Sequence, residues 1–581
     1  MEQKIEHKRH TLAHLLAAAV LEKYPHAKLT LGPAIDTGFY YDIDFTGGDT
    51  PGDEDLKDLQ KRMKKLINSW TEFSHEEVSV AEASKVFAGN EYKLELIKEI
   101  AERGETITLY TCGKFTDLCR GGHCENPKAE LAMDAFKLDK IAGAYWRGDE
   151  KNPMLTRIYG VAFDTKEELE AYEKLQVEAR ARDHRKLGKE LDLFTISPLV
   201  GAGLPLLKPK GMIIRQEIEN YLWELHKDKG YSRVWTPHIT NISLYETSGH
   251  AEKFGEELFR VKGGDENFAL KPMNCPHHMQ IFSDNHFSYR DMPVRYFEPA
   301  TVYRYEKSGQ LSGLTRVRAI TQDDGHLFCR VSQITEEVST IVGIIREFYG
   351  TMGLLDDYWV SLSVRGGDNM YLGSDDVWKE AESSLEKAAL DNNLKYKRVE
   401  GEAAFYGPKL DFMFKDAIGR EWQLATIQCD FNLPERFKLT FTNEKGEKEQ
   451  PVVIHRAISG SLERFMGVMI EHFAGKFPLW LSPVQIAIIP VADTHVEYAS
   501  KVAATLREKD FRVELDTSNE SMGKKIRAAK QQKLPYFIVI GDKETENHEV
   551  TLETRDSETN QSISVKELIA SLSDERDNRE L

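Results

Sequence analysis

His10 and His14 stand four residues apart, a spacing that puts both imidazoles on one face of a helix. Far along the chain, Asp117 is followed by Cys119-Arg-Gly-Gly-His123. Three imidazoles and a thiol suit a tetrahedral zinc site, or a metal-free site that positions a water and a ribose hydroxyl for hydrolysis. The plain alternative is a helix with two surface histidines and a glycine-rich turn. A second set is scattered: Cys275 in Lys271-Pro-Met-Asn-Cys-Pro-His-His278, His326 in Thr321-Gln-Asp-Asp-Gly-His326, and His455 in Val452-Val-Ile-His-Arg456. No local ligand spacing links these three, and a buried structural cysteine is the commoner use of such a residue. Arginines form the third set. Arg304-Tyr-Glu306, a Gly/Ser loop and Arg316-Val-Arg318 suit a bent triphosphate held between two strands, or a surface hairpin of solvated charges. Arg464 follows Gly460-Ser-Leu-Glu463 in an apolar segment ending at Leu481, where a guanidinium needs a partner and a ligand anion is one candidate. Finally, Gly523 to Lys533 holds five cations and no acid, a candidate site for an RNA backbone.

The elements that must position these groups are legible in outline. Leu12, Leu15, Leu16, Ala19 and Val20 form an apolar stripe at helical spacing, which predicts a helix over 7–23. Gly38 to Phe45 is strand-like, and 54–68 and 91–103 are helical. The charged stretch Lys166 to Lys189 carries apolar residues only at intervals and reads as a connecting helix. From 190 to 481 long helices and apolar strands mix. After Pro483 the order is strand (484–491), helix (493–509), strand (511–516), helix (523–533) and strand (536–540). Such alternation predicts parallel strands with crossover helices in an α/β unit. The 581 residues predict three or four domains. Hydrophobic residues make up 41% and charged residues 30%, a globular profile. No window approaches the roughly 20 apolar residues of a membrane span, and the start lacks a signal peptide's apolar core. Six cysteines are too few for a disulfide framework, so a cytoplasmic address is expected. The net charge of −18 argues against non-specific DNA coating but leaves room for RNA on a local basic patch.

Read in order, these segments resemble the threonyl-tRNA synthetases over essentially the whole chain. The residues that carry the resemblance are His10 and His14 with Cys119 and His123, Cys275-Pro-His-His278, Arg304-Tyr-Glu306, Thr321 to His326, Ala404-Phe-Tyr-Gly-Pro-Lys409, His455 to Ser461, and Glu463-Arg464. The resemblance implies a multidomain α+β and α/β protein. Residues 1–165 would be an α+β editing domain and 166–189 the connector. Residues 190–481 would be a class II antiparallel sheet core, and 482–581 an α/β anticodon-binding domain. It further implies a homodimer, with the helix and strand ending at Pro237 in its interface, and activation of L-threonine by ATP with Mg²⁺ followed by transfer to tRNA(Thr).

Carried over residue by residue, the resemblance makes Cys275, His326 and His455 the ligands of one Zn²⁺ per chain. Arg304 would grip the α-phosphate of ATP, Arg464 the γ-phosphate end, and Arg316 the bent triphosphate. Met273, Gln322, Asp324, Tyr406, Lys409, Gln423 and Gln428 match positions around threonine and the adenylate. His10, His14, Tyr41, Lys93, Asp117, Cys119 and His123 match an editing site that hydrolyses seryl-tRNA(Thr) without a catalytic metal. Asn519, Lys533 and Glu544 match or replace anticodon-reading positions, and Glu553 stands where some relatives carry arginine. Gly122 stands where proline is usual, which predicts a looser loop before His123. The small ubiquitin-like domain with which bacterial members commonly begin is not expected here.

Overall fold

The apolar stripe from Leu12 to Val20 is buried along one face of α1 (Glu2–Lys23), which begins at Glu2 rather than at residue 7. The computed structural model describes residues 2–367, 371–557 and 560–581. They form two compact units, Met1–Val177 and Glu178–Leu581. In the first unit the elements are β1 (Gly38–Asp44), α2 (Leu56–Leu66), α3 (Glu91–Glu102), β2 (Ile107–Cys112), β3 (Phe115–Leu118), β4 (Phe136–Tyr145) and β5 (Met154–Ala162). An antiparallel sheet runs β1-β5-β4, and α1 lies against it with α2 beside it. A smaller sheet pairs the strand Ser74–Val78 with β2 and β2 with β3, which brings Asp117 and Cys119 to its end.

The expected connector is not one helix. α4 (Lys166–Arg182) stops at Asp183, whose carboxylate accepts the Arg185 N–H at 2.8 Å and caps α5 (His184–Glu190). α5 buries His184 and Leu187, and Leu187 joins the core of the second unit. The charged average over 166–189 hid the spacing of Leu187 and Leu191, which seats this last turn in the core.

The second unit is built on one eight-stranded sheet. Its elements are α6 (Pro209–Lys227), β6 (Tyr231–Arg233), α7 (Cys275–Ser283), β7 (Val294–Tyr303), β8 (Ala319–Cys329), α8 (Ile334–Thr351), β9 (Tyr358–Val364), β10 (Tyr396–Glu400), β11 (Lys409–Lys415), β12 (Glu421–Asp430), β13 (Val452–Ser461) and α9 (Leu462–His472). The strand order is β6-β7-β8-β13-β12-β11-β9-β10. The central pairs are antiparallel, and only the outermost pairs, β6-β7 and β9-β10, are parallel. α6 and α8 cover the sheet with buried stripes that include Ile214, Ile218, Leu222, Ile341, Ile345 and Phe348. The C-terminal part adds β14 (Ile486–Pro490), α10 (Val496–Arg507), β15 (Val513–Leu515), α11 (Met522–Gln531), β16 (Tyr536–Ile540), β17 (Glu549–Thr554), β18 (Gln561–Ser564) and α12 (Val565–Asp577). β15, β14 and β16 are parallel as the alternation predicts, but β17 and β18 extend the sheet antiparallel. β17 alternates buried Val550 and Leu552 with polar residues, whereas the polar β18 carries no strong strand signal.

His226 near the end of α6 is fully buried, its Nδ1–H donating to the Leu222 carbonyl at 2.6 Å and its ring stacked on Phe297 at 5.0 Å. Burial, then the nearby Arg456 charge, pushes its pKa from 6.5 down to about 2. Below pH 6.5 the unfolded chain takes up a proton that the folded chain refuses, so stability falls as pH falls from there towards 2. Urea unfolding of the second unit at pH 7 and pH 5 should show a loss about 2 kcal/mol smaller in His226→Leu than in wild type. An equal loss in both proteins would mean that His226 titrates alike in the folded and unfolded chains.

Candidate active site

Strand pairing sets His326 on β8 directly opposite His455 on β13, with ring centroids 4.6 Å apart. Cys275 enters from the first turn of α7. All three are buried, and their donor atoms lie within 4.8 Å of one another. The surrounding hydrogen bonds orient each ring. Glu298 accepts from His278 Nε2 at 2.9 Å, so His278 Nδ1 accepts from His326 Nδ1 at 2.8 Å and His326 Nε2 keeps its lone pair. His455 Nε2 donates to Asp430 Oδ2 at 2.8 Å, and its Nδ1 is buried without a hydrogen-bond partner. Burial pushes the Cys275 thiol well above its ordinary value, and nearby Asp324 and Asp430 add to the rise. A thiol and two lone-pair nitrogens, each histidine braced by a further polar group, are a donor set that fits Zn²⁺. His278, Glu298 and Asp430 were not read from the sequence. The doubled histidine of Cys-Pro-His-His was the available signal for the first of them.

Beside this centre lies a cavity of about 360 Å³ lined by His250, Phe254, Met273, Arg304, Ala404 and Tyr406. Arg304, just past β7, donates to the Pro272 carbonyl at 3.3 Å and to Met273 Sδ at 2.9 Å, over the Phe254 ring. Tyr406 donates to Gln428 at 2.7 Å, and its ring lies 5.0 Å from His455. Gln322, Asp324 and His326 alternate along β8 and so share one face. Asn274 donates to Asp324 at 3.0 Å. Arg316 pairs with Glu306 at 2.9 Å, and Arg464 donates to the Thr315 carbonyl at 3.2 Å. Burial, then the Arg316 charge, lowers the Arg464 pKa. Lys409, the register partner of Gln428 on the neighbouring strand, and Gln423 both donate to Asp411, which also receives Thr426 and Ser363. Sequence reasoning missed Asp411, although the i, i+2 spacing from Lys409 on one strand face signals it.

The first unit gathers a different set. His10 Nδ1 donates to the Gly122 carbonyl at 3.2 Å, and its Nε2 lies 3.2 Å from His14 Nε2 and 3.6 Å from Cys119 Sγ. Cys119 Sγ is also 3.3 Å from His123 Nε2, and His123 stacks between His10 at 4.3 Å and Phe73 at 4.2 Å. Burial pushes the Cys119 thiol up to about 11 and His123 down to about 2, and lowers His10 and His14 too. At neutral pH the cluster therefore holds neutral imidazoles and a thiol. Below it, Lys93 pairs with Asp117 at 2.5 Å while Tyr41 donates to the same carboxylate. His10, His14, Tyr41, Lys93, Asp117 and Cys119 line a cavity of about 350 Å³. Gly122 has φ +80°, which proline's ring forbids, so this loop takes a path that the usual proline could not follow.

In the C-terminal part Asn519 is exposed. Glu544 accepts from Gly541 N–H and Thr551. Lys533 is not a free surface cation: its ammonium donates to the Ala474 carbonyl at 2.6 Å. Lys525 also turns inward, to the Asp516 carbonyl at 3.0 Å, because it falls on the buried face of α11 with Ala529. Of the basic run, Lys524, Arg527 and Lys530 remain exposed.

Comparison with known proteins shows which families the chain resembles. Residues 259–473 match the tRNA synthetase class II core domain (G, H, P, S and T). Residues 485–575 match an anticodon binding domain, and 107–159 the threonyl and alanyl tRNA synthetase second additional domain. The threonine–tRNA ligase of Rubrobacter xylanophilus is 50% identical over 94% of this chain and 85% of its own length. The chain belongs to the threonyl-tRNA synthetase family. The Thermotoga neapolitana member is 46% identical over 99% of this chain and 88% of its own length. Among solved structures, the RNA binding domain of threonyl-tRNA synthetase from Cryptosporidium parvum matches with TM-score 0.65 and 37% identity, covering 68% of this chain and 98% of that one. Giardia lamblia prolyl-tRNA synthetase, at 18% identity and TM-score 0.54, over 70% of this chain and 80% of its own, shares the fold. The large sheet is thus a class II aminoacyl-tRNA synthetase core, accompanied by an anticodon-binding domain and an editing domain.

Proposed function

We propose that this chain activates L-threonine with ATP, transfers it to tRNA(Thr), and hydrolyses seryl-tRNA(Thr) formed in error. Editing lies in residues 1–165, activation in 190–481 and anticodon binding in 482–581, with α4 and α5 following the editing domain. The observation that carries the reading is the convergence of Cys275, His326 and His455, with an unpartnered His455 Nδ1, beside the cavity that holds Arg304. Cys275, His326 and His455 would hold the zinc. Bound there, it would supply a Lewis acid for the amino group and hydroxyl of threonine, and valine has no hydroxyl to offer. Arg304 faces the α-phosphate, where charge builds as the threonine carboxylate attacks, and Arg316 and Arg464 hold the rest of the Mg²⁺-bound triphosphate. Tyr406, Gln428 and Asp324 border threonine and the adenylate. Lys409 and Gln423, held on Asp411, serve the same complex.

Serine carries the amino group and the hydroxyl and lacks only a methyl, worth about 1–3 kcal/mol of discrimination. That gap calls for the second cavity. Neutral imidazoles at His10 and His14 on the cavity wall, with His123 stacked on His10, can hold a water and a ribose hydroxyl by hydrogen bonds, while Lys93, Asp117 and Tyr41 fix the polar wall of the pocket. Cys119, kept as a thiol by burial, orients rather than attacks. Asn519, Glu544 and the exposed cations of α11 serve the anticodon.

A homodimer is part of the proposal. Leu199 is 99% exposed, with Ile196, Val200, Leu206 and Met212 exposed nearby in sequence and Trp235 exposed past β6. Exposed apolar residues so concentrated mark an interface, and sedimentation should give twice the chain mass. A cytoplasmic setting fits six free cysteines and, among the described residues, no helix long and apolar enough to cross a membrane.

Threonine-dependent ATP–pyrophosphate exchange tests the activity directly. Elemental analysis should find about one zinc per chain, as a three-ligand catalytic site requires. Cys275→Ala should lose metal and exchange together, and full exchange by metal-free protein would overturn the zinc reading.

Cys119→Ala and His123→Ala should leave threonine activation nearly intact, because they touch none of the ATP or zinc contacts. Both should slow deacylation of preformed seryl-tRNA(Thr) and accumulate it when serine and ATP are supplied. Equal deacylation by wild type and mutant would remove the editing role from this cluster. A parallel fall in both activities would assign these residues to folding alone.

A further inference from the structure

The buried imidazole of His184 belongs to neither of the two sites described above. His184, at the start of α5, is 3% exposed, and Glu471, near the end of α9, is 5% exposed. His184 Nδ1 lies 2.6 Å from Glu471 Oε1, and the same oxygen accepts the His184 backbone N–H at 3.0 Å. On its other side, His184 Nε2 accepts the backbone N–H of Leu314 at 3.0 Å. A backbone N–H can only donate, so Nε2 is the lone-pair nitrogen and Nδ1 carries the proton to Glu471. The second oxygen of Glu471 is held by Arg420, which in turn pairs with Asp416. Asp183, His184 and Glu471 have donor atoms close enough to suggest a cation site, but both imidazole nitrogens are already engaged.

Leu314 is fully buried and lies in the loop between Arg304 and Arg316. Ser312 and Arg316 exchange backbone hydrogen bonds at 3.1 and 3.2 Å, closing a small ring around Gly313. The next carbonyl, that of Thr315, accepts from Arg464, and Arg316 follows. Gly313 has φ +50°, and a Cβ there would stand 2.1 Å from His184 Nε2. The turn is therefore seated against the imidazole with no room between them.

We propose that His184, oriented by Glu471, is a positioning residue for adenylate formation: it fixes the turn Leu314–Arg316 so that Arg316 and Arg464 meet the triphosphate. This rests on the reading of those arginines as the ATP clamp. Losing the Nε2 acceptor leaves the buried Leu314 N–H unpaired and frees the turn, and a phosphate clamp that is no longer held in place binds ATP less tightly.

Hydrogen exchange of the 311–318 segment and threonine-dependent pyrophosphate exchange in the full chain test this together. His184→Asn keeps a donor towards Glu471 but lacks the distal acceptor. It should exchange the Leu314 amide at least about tenfold faster and raise the KM for ATP about tenfold with the KM for threonine unchanged, one tenfold step being the scale of one hydrogen bond. Gly313→Ala attacks the same contact from the loop and should give the same pattern, which guards against a folding defect peculiar to His184. Glu471→Gln retains an acceptor for Nδ1–H but turns an N–H₂ towards Arg420, and should raise the KM for ATP less than His184→Asn does. Unchanged amide protection, or a fall in kcat with both KM values unaltered, overturns the proposal. Arg316→Ala and Arg464→Ala separate the two readings. If they raise the KM for ATP and His184→Asn does not, positioning by His184 is wrong. If they leave it unaltered while Leu314 protection is lost in His184→Asn, the clamp reading fails and the proposed link to ATP fails with it.

Discussion

Asp323 ties together the two strands that carry His326 and His455. It sits at a bulge where β8 and β13 slip register between Gln322 and Asp324. Its fully buried carboxylate accepts from the Ile458 and Ser459 backbone N–H groups at 2.8 and 3.0 Å and from the Ser459 hydroxyl at 2.9 Å. Burial nonetheless raises its pKa to about 6, with Arg456 working against the rise. A carboxylate out of water is costly unless donors surround it, and β13 supplies them from its backbone. The bulge so pinned sets His326 opposite His455, and alternation along β8 sends Gln322 and Asp324 to the same side. A one-residue slip would turn this whole set to the other face of the sheet.

The two donor clusters show how surroundings divide one vocabulary of histidine and cysteine into two chemistries. Around Cys275, His326 and His455, the far nitrogens of both histidines lead to buried polar groups, His278 with Glu298 on one side and Asp430 on the other. Lone pairs are thereby aimed at a common point. Around Cys119, the rings stack on one another and on Phe73, and Asp117 is already neutralised by Lys93. That cluster opens on a cavity whose wall carries both polar groups and apolar side chains such as Leu96 and Ile100. In the proposed editing reaction this cavity would receive the acyl group and a water.

Charged groups outside these centres are spent mainly on holding parts together. Arg512 donates to the Ser482 and Trp480 carbonyls and pairs with Glu217 of α6. Lys533 caps the chain after α9, and Arg555 donates to the Phe477 and Lys533 carbonyls. Cations of the C-terminal part therefore tie it to α6 and to the segment that follows α9, within one compact unit. Only a subset of its basic run is left to meet an anion.

By itself the sequence determined the elements whose burial is one-sided or complete: the stripe of α1, the apolar runs of β14 and β16, and the loop between two strands that carries Arg304 and Arg316. Their periodicity is local, so no neighbour is needed to read it. The chemistry was legible as residue types, His10 with His14 and Cys119 with His123. The scattered Cys275, His326 and His455 could be grouped only by resemblance. Tertiary structure alone decided what each of these groups touches. It brought Glu298, Asp430 and Asp411 to their partners, turned Lys525 and Lys533 inward, added β17 and β18 to the sheet, and drew α5 out of a charged connector into the core. Each of those outcomes is a pairing between residues distant in the chain, set by strand register and by the need of every buried polar group for a partner, and neither can be read from a local window.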